Sequence, residues 1–141
     1  MTSDFNIAVH ALVYLKDKKE LVSSDELAKN ICTHPVRVRR VMIKLRQADM
    51  IKTKAGVDGG YSLNKERKAI TLSEVAKALT ESYIHVTWHN GEADRQCIRD
   101  SGMEAVMDDV FVDLNNACDN VLKKITIDDI ARKIKKKKVN S

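Results

Sequence analysis

Lysine and arginine are concentrated in one stretch of the chain. Residues 35–68 hold ten basic and three acidic residues, a net charge of +7, in a chain of 141 residues whose total is +5. Arginine forms paired hydrogen bonds with guanine in the major groove of DNA, and both lysine and arginine bind phosphate. The stretch therefore predicts a surface for double-stranded DNA. We expect a base contact from Arg37, a thymine methyl contact from Val36, and phosphate contacts from Arg39, Arg40 and Lys44.

These side chains fall on the third predicted helix, which ends a helix-turn-helix. Apolar residues recur at three- and four-residue steps over residues 5–16, and Ser23 opens a second helix that stops near His34. Pro35 suits the first turn of the third helix, because the N–H that proline lacks has no partner there. That helix is expected to extend to about Asp49. Arg37 is the expected base contact because a recognition helix enters the groove with its N-terminal end.

A β-hairpin with basic residues along its edge follows. Residues 51–54 alternate in polarity, residues 56–60 contain three glycines, and residues 61–63 alternate again. A further helix, from Thr71 to about Leu79, completes the element order of a winged helix-turn-helix. The fold class is therefore mainly α with a small β-hairpin wing, followed by a long C-terminal helix. Glycine lets the wing approach the duplex closely, and the wing residues expected at DNA are Lys52, Lys54, Gly59, Gly60 and Tyr61.

A second apolar pattern predicts a long helix whose partner is another copy of the chain. From Gly102 to Ile125, apolar residues recur every three or four positions, as in a coiled coil. About 24 helical residues measure roughly 36 Å, more than one small domain covers. We expect a homodimer, and Thr126 should cap a short last helix that ends in the lysine run. The expected interface residues are Met103, Val106, Val110, Leu114, Ala117 and Val121.

Four segments are predicted along the chain. Residues 1–80 form the winged helix-turn-helix, 81–101 a linker and sensory segment, 102–134 the dimerisation helices, and 135–141 a basic tail. A run of about 20 apolar residues and a signal-peptide pattern are both missing, so we expect a cytoplasmic protein with no membrane partner. Three cysteines without a C-x-x-C pair exclude a disulfide scaffold.

Four blocks resemble, in the right order, the Rrf2 family of bacterial transcription regulators. They are FNIAVHAL (5–12) with Leu27-Ala28, VMIKLRQADMI (41–51), GVDGGYSL (56–63) and ITLSEV (70–75). The resemblance implies a homodimer whose long helices cross and whose two winged helix-turn-helix domains, the heads (residues 1–80), bind a palindromic operator. It also implies a sensory segment between the wing and the dimer helix. In members that bind an iron–sulfur cluster, that segment carries three closely spaced cysteines. This chain has Cys97 alone there, so no cofactor is predicted.

Two of the three cysteines lie where oxidation would change such a dimer. Cys32 occupies the helix-turn-helix turn, where glycine is usual because the backbone is often left-handed, and the nearby Arg37 favours a reactive thiol. Cys97 lies in segment 81–101. In a dimer with crossed helices, Cys32 of one chain would face Cys97 of the other, so we expect a redox sensor that releases DNA when a disulfide forms. Cys118, beside Ala117, is expected to be a buried apolar side chain.

The leading hypothesis is a sequence-specific repressor, and several alternatives stay open. His85, His89 and Cys97 are possible metal ligands, but their loose spacing is weak support and no metal site is predicted. The signal would otherwise be a small ligand, a metal or an iron–sulfur cluster. A winged helix that binds only proteins would not need the +7 block. A thiol enzyme fits poorly, because the sequence shows neither a nucleophile–base constellation nor a phosphate loop.

Overall fold

The computed structural model describes residues 1–79, 82–85, 96–97 and 99–141. It confirms the mainly helical fold with a two-stranded antiparallel hairpin. Of the described helices, none is long and apolar enough to span a membrane. The elements that bear on function are, in chain order, α1 (Ser3–Lys16), α2 (Ser24–Ile31), α3 (Pro35–Gln47), β1 (Ile51–Lys54), β2 (Gly60–Leu63), α4 (Leu72–Ala78), α5 (Met103–Leu122) and α6 (Ile127–Val139).

Helix α1 is the centre of the core. Its residues Ala8, Ala11 and Leu12 have no exposed surface, and the helix packs against α2, α3, α4 and α6. The Tyr14 hydroxyl of α1 donates to the Glu26 carboxylate of α2 at 2.7 Å, which joins the two helices at the surface. Because α1 lies at the centre, one face of α3 is buried in the core and the opposite face is exposed.

The wing is held to the head by a short third segment. Strands β1 and β2 pair from Ile51 with Leu63 to Lys54 with Gly60, so residues 55–59 form the turn at the tip. Val22, between α1 and α2, exchanges two backbone hydrogen bonds with Tyr61, at 3.0 and 2.8 Å. These bonds fix the wing beside the helix-turn-helix.

Each of the two C-terminal helices ends at a different residue from the one that the sequence predicts. Helix α5 has 20 residues, about 30 Å, and ends before Ile125, whose side chain packs against the core. The predicted basic tail is wrong in its secondary structure, because α6 continues through residues 135–138 to Val139. Lysine is a good helix former, and cations favour the C-terminal end of a helix, where they meet the negative end of its dipole. Lys135 also pairs with Asp17 at 3.4 Å.

Candidate nucleic-acid interface

The turn between α2 and α3 sets how the recognition helix leaves the core. Cys32 follows α2 with φ 60° and ψ 48°, the left-handed backbone expected at this position. His34 then caps α3, since its Nδ1 atom accepts the Val36 N–H at 3.2 Å, and Pro35 is the first helical residue. The inward face of α3 holds Val38, Val41, Met42 and Leu45.

The outward face of α3 is apolar at its centre and basic along both edges. Val36 and Ile43 are 56% and 50% exposed, although both are large and hydrophobic. The four arginines that flank them divide into two pairs with different neighbours. The pair toward the wing is Arg39 and Arg46, and the pair toward α1 is Arg37 and Arg40.

A groove of about 500 Å³ separates the wing-side edge of α3 from the wing. Arg39 Nη1 donates to Ser24 Oγ at 3.3 Å on one wall. Partial burial raises the pKa of Tyr61 on the other wall, while the positive charges of Arg39 and Arg46 oppose that rise. The groove therefore brings Arg39 and Arg46 of the helix close to Lys54 of the wing. Its lining includes Arg39, Ile43, Arg46, Lys54, Gly59, Gly60 and Tyr61.

The α1-side edge of α3 is occupied by a carboxylate. Arg37 Nη2 lies 3.1 Å from Asp4 Oδ1 and also donates to the Ser3 hydroxyl. Arg40 Nη2 lies 3.2 Å from Asp4 Oδ2. The first turn of α1 thus holds both arginines, and the guanidinium predicted to contact a base is already bonded to the protein.

The wing glycines are required by the shape of the tip. A Cβ atom on Gly59 would lie 2.0 Å from the Lys54 carbonyl oxygen, and one on Gly60 would lie 2.6 Å from the Val22 carbonyl oxygen. These backbone contacts leave no room for a side chain. Lys52, nearer the base of the wing, lies 3.9 Å from the Glu66 carboxylate.

The groove brings together half of the residues that the sequence assigned to DNA. Arg39, Lys54, Gly59, Gly60 and Tyr61 line it, whereas the others lie on the remaining face of α3 or at the base of the wing. Three residues on the exposed helical stripe were missed, although the spacing from Val36 and Arg39 in steps of three and four marks them. They are Ile43, Arg46 and Gln47. No local signal pointed to Asp4, which is 33 residues from Arg37.

All three cysteines are free thiols. Cys32 and Cys97 are exposed, and Cys32 Sγ lies 3.8 Å from the Lys29 carbonyl oxygen. Cys118, predicted to be buried, is half-buried on α5. Of the possible metal ligands, His85 is exposed and His89 lies outside the described residues. Within the described part of the chain, no three histidine, cysteine or acidic residues are grouped to hold a metal ion.

Helix α5 presents its predicted interface residues to solvent. The helix has no buried residue, and five large apolar side chains of the predicted seam are between 42% and 61% exposed, while Ala117 is exposed as well. These five residues lie on one face of the helix, as their spacing requires. They are Met103, Val106, Val110, Leu114 and Val121.

Another face of α5 binds the head through a polar cluster around Asp119. Its Oδ1 atom accepts from the Ser73 hydroxyl at 2.5 Å and the Tyr83 hydroxyl at 2.6 Å, and Lys123 lies 2.9 Å from its Oδ2 atom. These donors hold the pKa of Asp119 well below its usual range. Partial burial and the bond to Asp119 raise the pKa of Tyr83 to about 12. Asn115 accepts the Ile84 N–H and donates to its carbonyl oxygen.

The exposed recognition helix, the wing and the long C-terminal helix define a winged helix-turn-helix regulator of transcription. The family model described as "Rrf2: Iron-dependent Transcriptional regulator" matches residues 1–133. The chain therefore belongs to the Rrf2 family, whose members are transcriptional regulators that bind DNA and not enzymes.

Relatives of similar length support the assignment. YwnA of Bacillus subtilis, named as an HTH-type transcriptional regulator, is 28% identical over 92% of this chain and 96% of its own. The solved structure of CymR, the global cysteine regulator of B. subtilis, has a TM-score of 0.64 at 20% identity and covers 94% of this chain and 95% of its own. A transcriptional regulator from Lactobacillus plantarum reaches 0.78 at 21% identity, over 96% and 91%. The two structures share the fold.

The iron in the family description does not match the donors of this chain. Clusters of iron and sulfur in proteins are held mainly by several cysteine thiolates. The three cysteines stand at positions 32, 97 and 118, so segment 81–101 offers one thiolate. The residues do not fit a three-cysteine cluster site.

Proposed function

We propose that the chain is a homodimeric, sequence-specific repressor whose two heads bind an inverted-repeat operator. The groove between α3 and the wing carries this proposal, because Arg39, Arg46 and Lys54 come from two separate elements and converge there. A helix of this kind enters the major groove while the wing follows the adjacent backbone. The half-sites are then separated by about one helical turn, 10–10.5 bp, or a multiple of it.

The arginines of α3 have different roles in this proposal. Arg39 contacts a base, because it lies in the N-terminal half of α3 and donates to a neutral partner, the Ser24 hydroxyl. Val36 and Ile43 contact thymine methyl groups from the exposed centre of the helix. Lys54, Arg40 and Arg46 contact phosphates. Arg37, which the sequence suggested as the base contact, serves instead to hold α3 against Asp4.

DNA selection followed by fluorescence anisotropy tests these roles. The wild-type protein selects a duplex from a random library, and its affinity for that duplex is compared with a scrambled duplex of equal length. Arg39→Ala should weaken the selected duplex by about 1–3 kcal/mol and relax its base preference. Lys54→Ala should weaken both duplexes alike and reduce the salt slope by about one. If Arg37→Ala relaxes base preference and Arg39→Ala does not, the two roles are reversed.

The same measurements decide whether DNA is the partner at all. A wild-type protein that binds both duplexes weakly, with little dependence on salt, has no phosphate-binding role. Such a result would favour a winged helix that binds proteins.

The dimer in this proposal forms through the exposed apolar face of α5. Five large apolar side chains on one face of this 20-residue helix are exposed in the single chain, and apolar surface of that extent marks an interface. The same helix of a second copy presents a matching stripe under twofold symmetry.

Thiol oxidation is the signal that we assign to this repressor. Cys32 is exposed in the left-handed turn that aims α3, and Cys97 is exposed in segment 81–101. Hydrogen peroxide would convert one thiol to a sulfenic acid and release water. The second thiol would displace a further water to form the disulfide between Cys32 of one chain and Cys97 of the other. A covalent link at the turn would move α3 and lower the affinity for DNA.

Non-reducing gel electrophoresis tests the disulfide. Mild oxidation should produce a covalent dimer in wild type and in Cys118→Ser, and none in Cys32→Ser or Cys97→Ser. Oxidised wild type should lose the selected duplex, and dithiothreitol should restore binding. A wild-type chain that stays monomeric on the gel, while both serine variants still lose DNA on oxidation, would contradict the mechanism.

A further inference from the structure

Asp4 joins α1 to two exposed arginines of α3. It is in the first turn of α1, and its side chain is 16% exposed. Its carboxylate lies within 3.3 Å of the guanidinium groups of Arg37 and Arg40, and Ser3 accepts a further bond from Arg37. A carboxylate is also favoured at a helix N-terminus, where it meets the positive end of the helix dipole.

The arginines on the two edges of α3 are therefore held differently. On the α1-side edge, one negative charge offsets one of the two positive charges. On the wing-side edge, Arg39 donates to the neutral hydroxyl of Ser24 at 3.3 Å. Arg40 keeps 59% of its side chain exposed, so its other N–H donors face solvent. Arg37 is 40% exposed and has two partners on α1.

We propose that Asp4 is a specificity-determining positioning residue: it holds Arg37 and Arg40 against α1, which restrains them from binding phosphates irrespective of the DNA sequence. This inference rests on the proposed function. Non-specific affinity comes from phosphate contacts, which any unrestrained arginine at this edge would add to. A guanidinium already fixed by a carboxylate loses little freedom when it meets the one phosphate that the correct register offers. Asp4 thus lowers the affinity for wrong sequences more than for the operator.

Asp4→Asn removes the charge and keeps the size of the side chain. It should raise the affinity for a scrambled duplex by about three- to tenfold and steepen the salt slope by about 0.9, the value for one added phosphate contact. The affinity for the selected duplex should change by less, so the ratio of the two affinities falls.

Asp17→Asn is the matched control. Asp17 follows the other end of α1, is 60% exposed and pairs with Lys135, so this substitution makes the same change in net charge away from α3. It should leave the affinity ratio within about twofold of wild type, because long-range charge is screened over about 10 Å. Asp4→Glu, which keeps the carboxylate, should restore most of the discrimination.

A double-variant measurement separates positioning from a general structural effect. In an Arg37→Ala/Arg40→Ala background, Asp4→Asn should no longer alter the ratio, because Asp4 acts through these two side chains. The inference is overturned if Asp4→Asn leaves the ratio and the salt slope unchanged, if Asp17→Asn changes them equally, or if the effect persists in that background. A wild-type protein that shows no preference for any selected duplex contradicts the proposed function instead.

Discussion

Replacing Val110 with aspartate should separate the proposed dimer. Val110 lies on the apolar face of α5 and is 42% exposed in the single chain. Burial of a whole valine side chain is worth about 1.5–2 kcal/mol, so covering its exposed part is worth about 0.7 kcal/mol. Twofold symmetry doubles the loss to about 1.4 kcal/mol. Each introduced carboxylate would also be buried at the interface without a partner, which adds several kcal/mol more.

A total of at least about 4 kcal/mol corresponds to a dissociation constant about a thousandfold larger. Sedimentation velocity of the purified protein at micromolar concentration should show a single 15.9 kDa species for Val110→Asp and a species of twice that mass for wild type. Circular dichroism should show whether the separated chain keeps its helices.

Val112→Asp is the matched control for this prediction. The residue is also a valine on α5 and is 57% exposed, but it lies two positions away, about 160° around the helix from the seam. It should sediment as wild type does. A dimeric Val110→Asp protein, or a monomeric Val112→Asp protein, would refute the assignment of this face to the dimer.

Three further predictions concern the wing and the cluster around Asp119. Gly59→Ala should lower DNA affinity more than Gly56→Ala, because the added Cβ would lie 2.0 Å from a backbone oxygen at Gly59 and in open space at Gly56, where the cost is the left-handed φ of 104°; equal losses in anisotropy titrations would contradict the steric reasoning. Tyr83→Phe should remove the tyrosine that titrates at about pH 12 from the absorbance change at 295 nm. Because that pKa is raised above the ordinary 10.0, the Tyr83–Asp119 bond stabilises the fold fully below about pH 10, and its contribution is lost as the pH rises through 12. If wild type and Tyr83→Phe unfold alike at alkaline pH, this reasoning is contradicted. Asp119→Asn should destabilise the protein at neutral pH, and the difference in free energy of unfolding from wild type should shrink below about pH 4. A carboxyl whose pKa is lowered in the folded state contributes stability above its ordinary pKa of 3.8, and this stability is lost as acid protonates the folded state. Urea unfolding at several pH values measures this difference.

The order of elements followed from local signals in the sequence. Ser23, Pro35, Thr71 and Thr126 each mark the start of a helix, because a cap or a proline acts on amides within one turn. The left-handed turn at Cys32 was likewise visible from its position between two helices. Helix ends were less accurate, since α6 runs through lysines that the sequence assigned to a tail. Charge alone does not separate a solvated helix from a disordered segment.

The sequence predicted many of the residues of the candidate site but only part of their arrangement. The basic stretch and the helical spacing selected α3 and the wing, which are neighbours in the chain. Which edge of α3 each arginine occupies depends on contacts with α1, more than thirty residues earlier. Asp4 reaches Arg37 and Arg40 only because α1 packs across α3, and no local pattern encodes that packing.

Helix α5 contacts the head through one face and leaves an apolar face exposed, and this arrangement would link the head to the proposed dimer. Asp119 and Asn115 hold Ser73 and residues 83–84 on one face, while Val110 and Leu114 stand exposed on another. The carboxylate of Asp119 joins α4, Tyr83 and Lys123 by short polar contacts, which fix direction more strictly than apolar packing does. In the proposed dimer, a rotation of one α5 helix against the other would therefore turn the head with it. Because α4 packs against α3, the distance between the two recognition helices of the proposed dimer would depend on how its two α5 helices align.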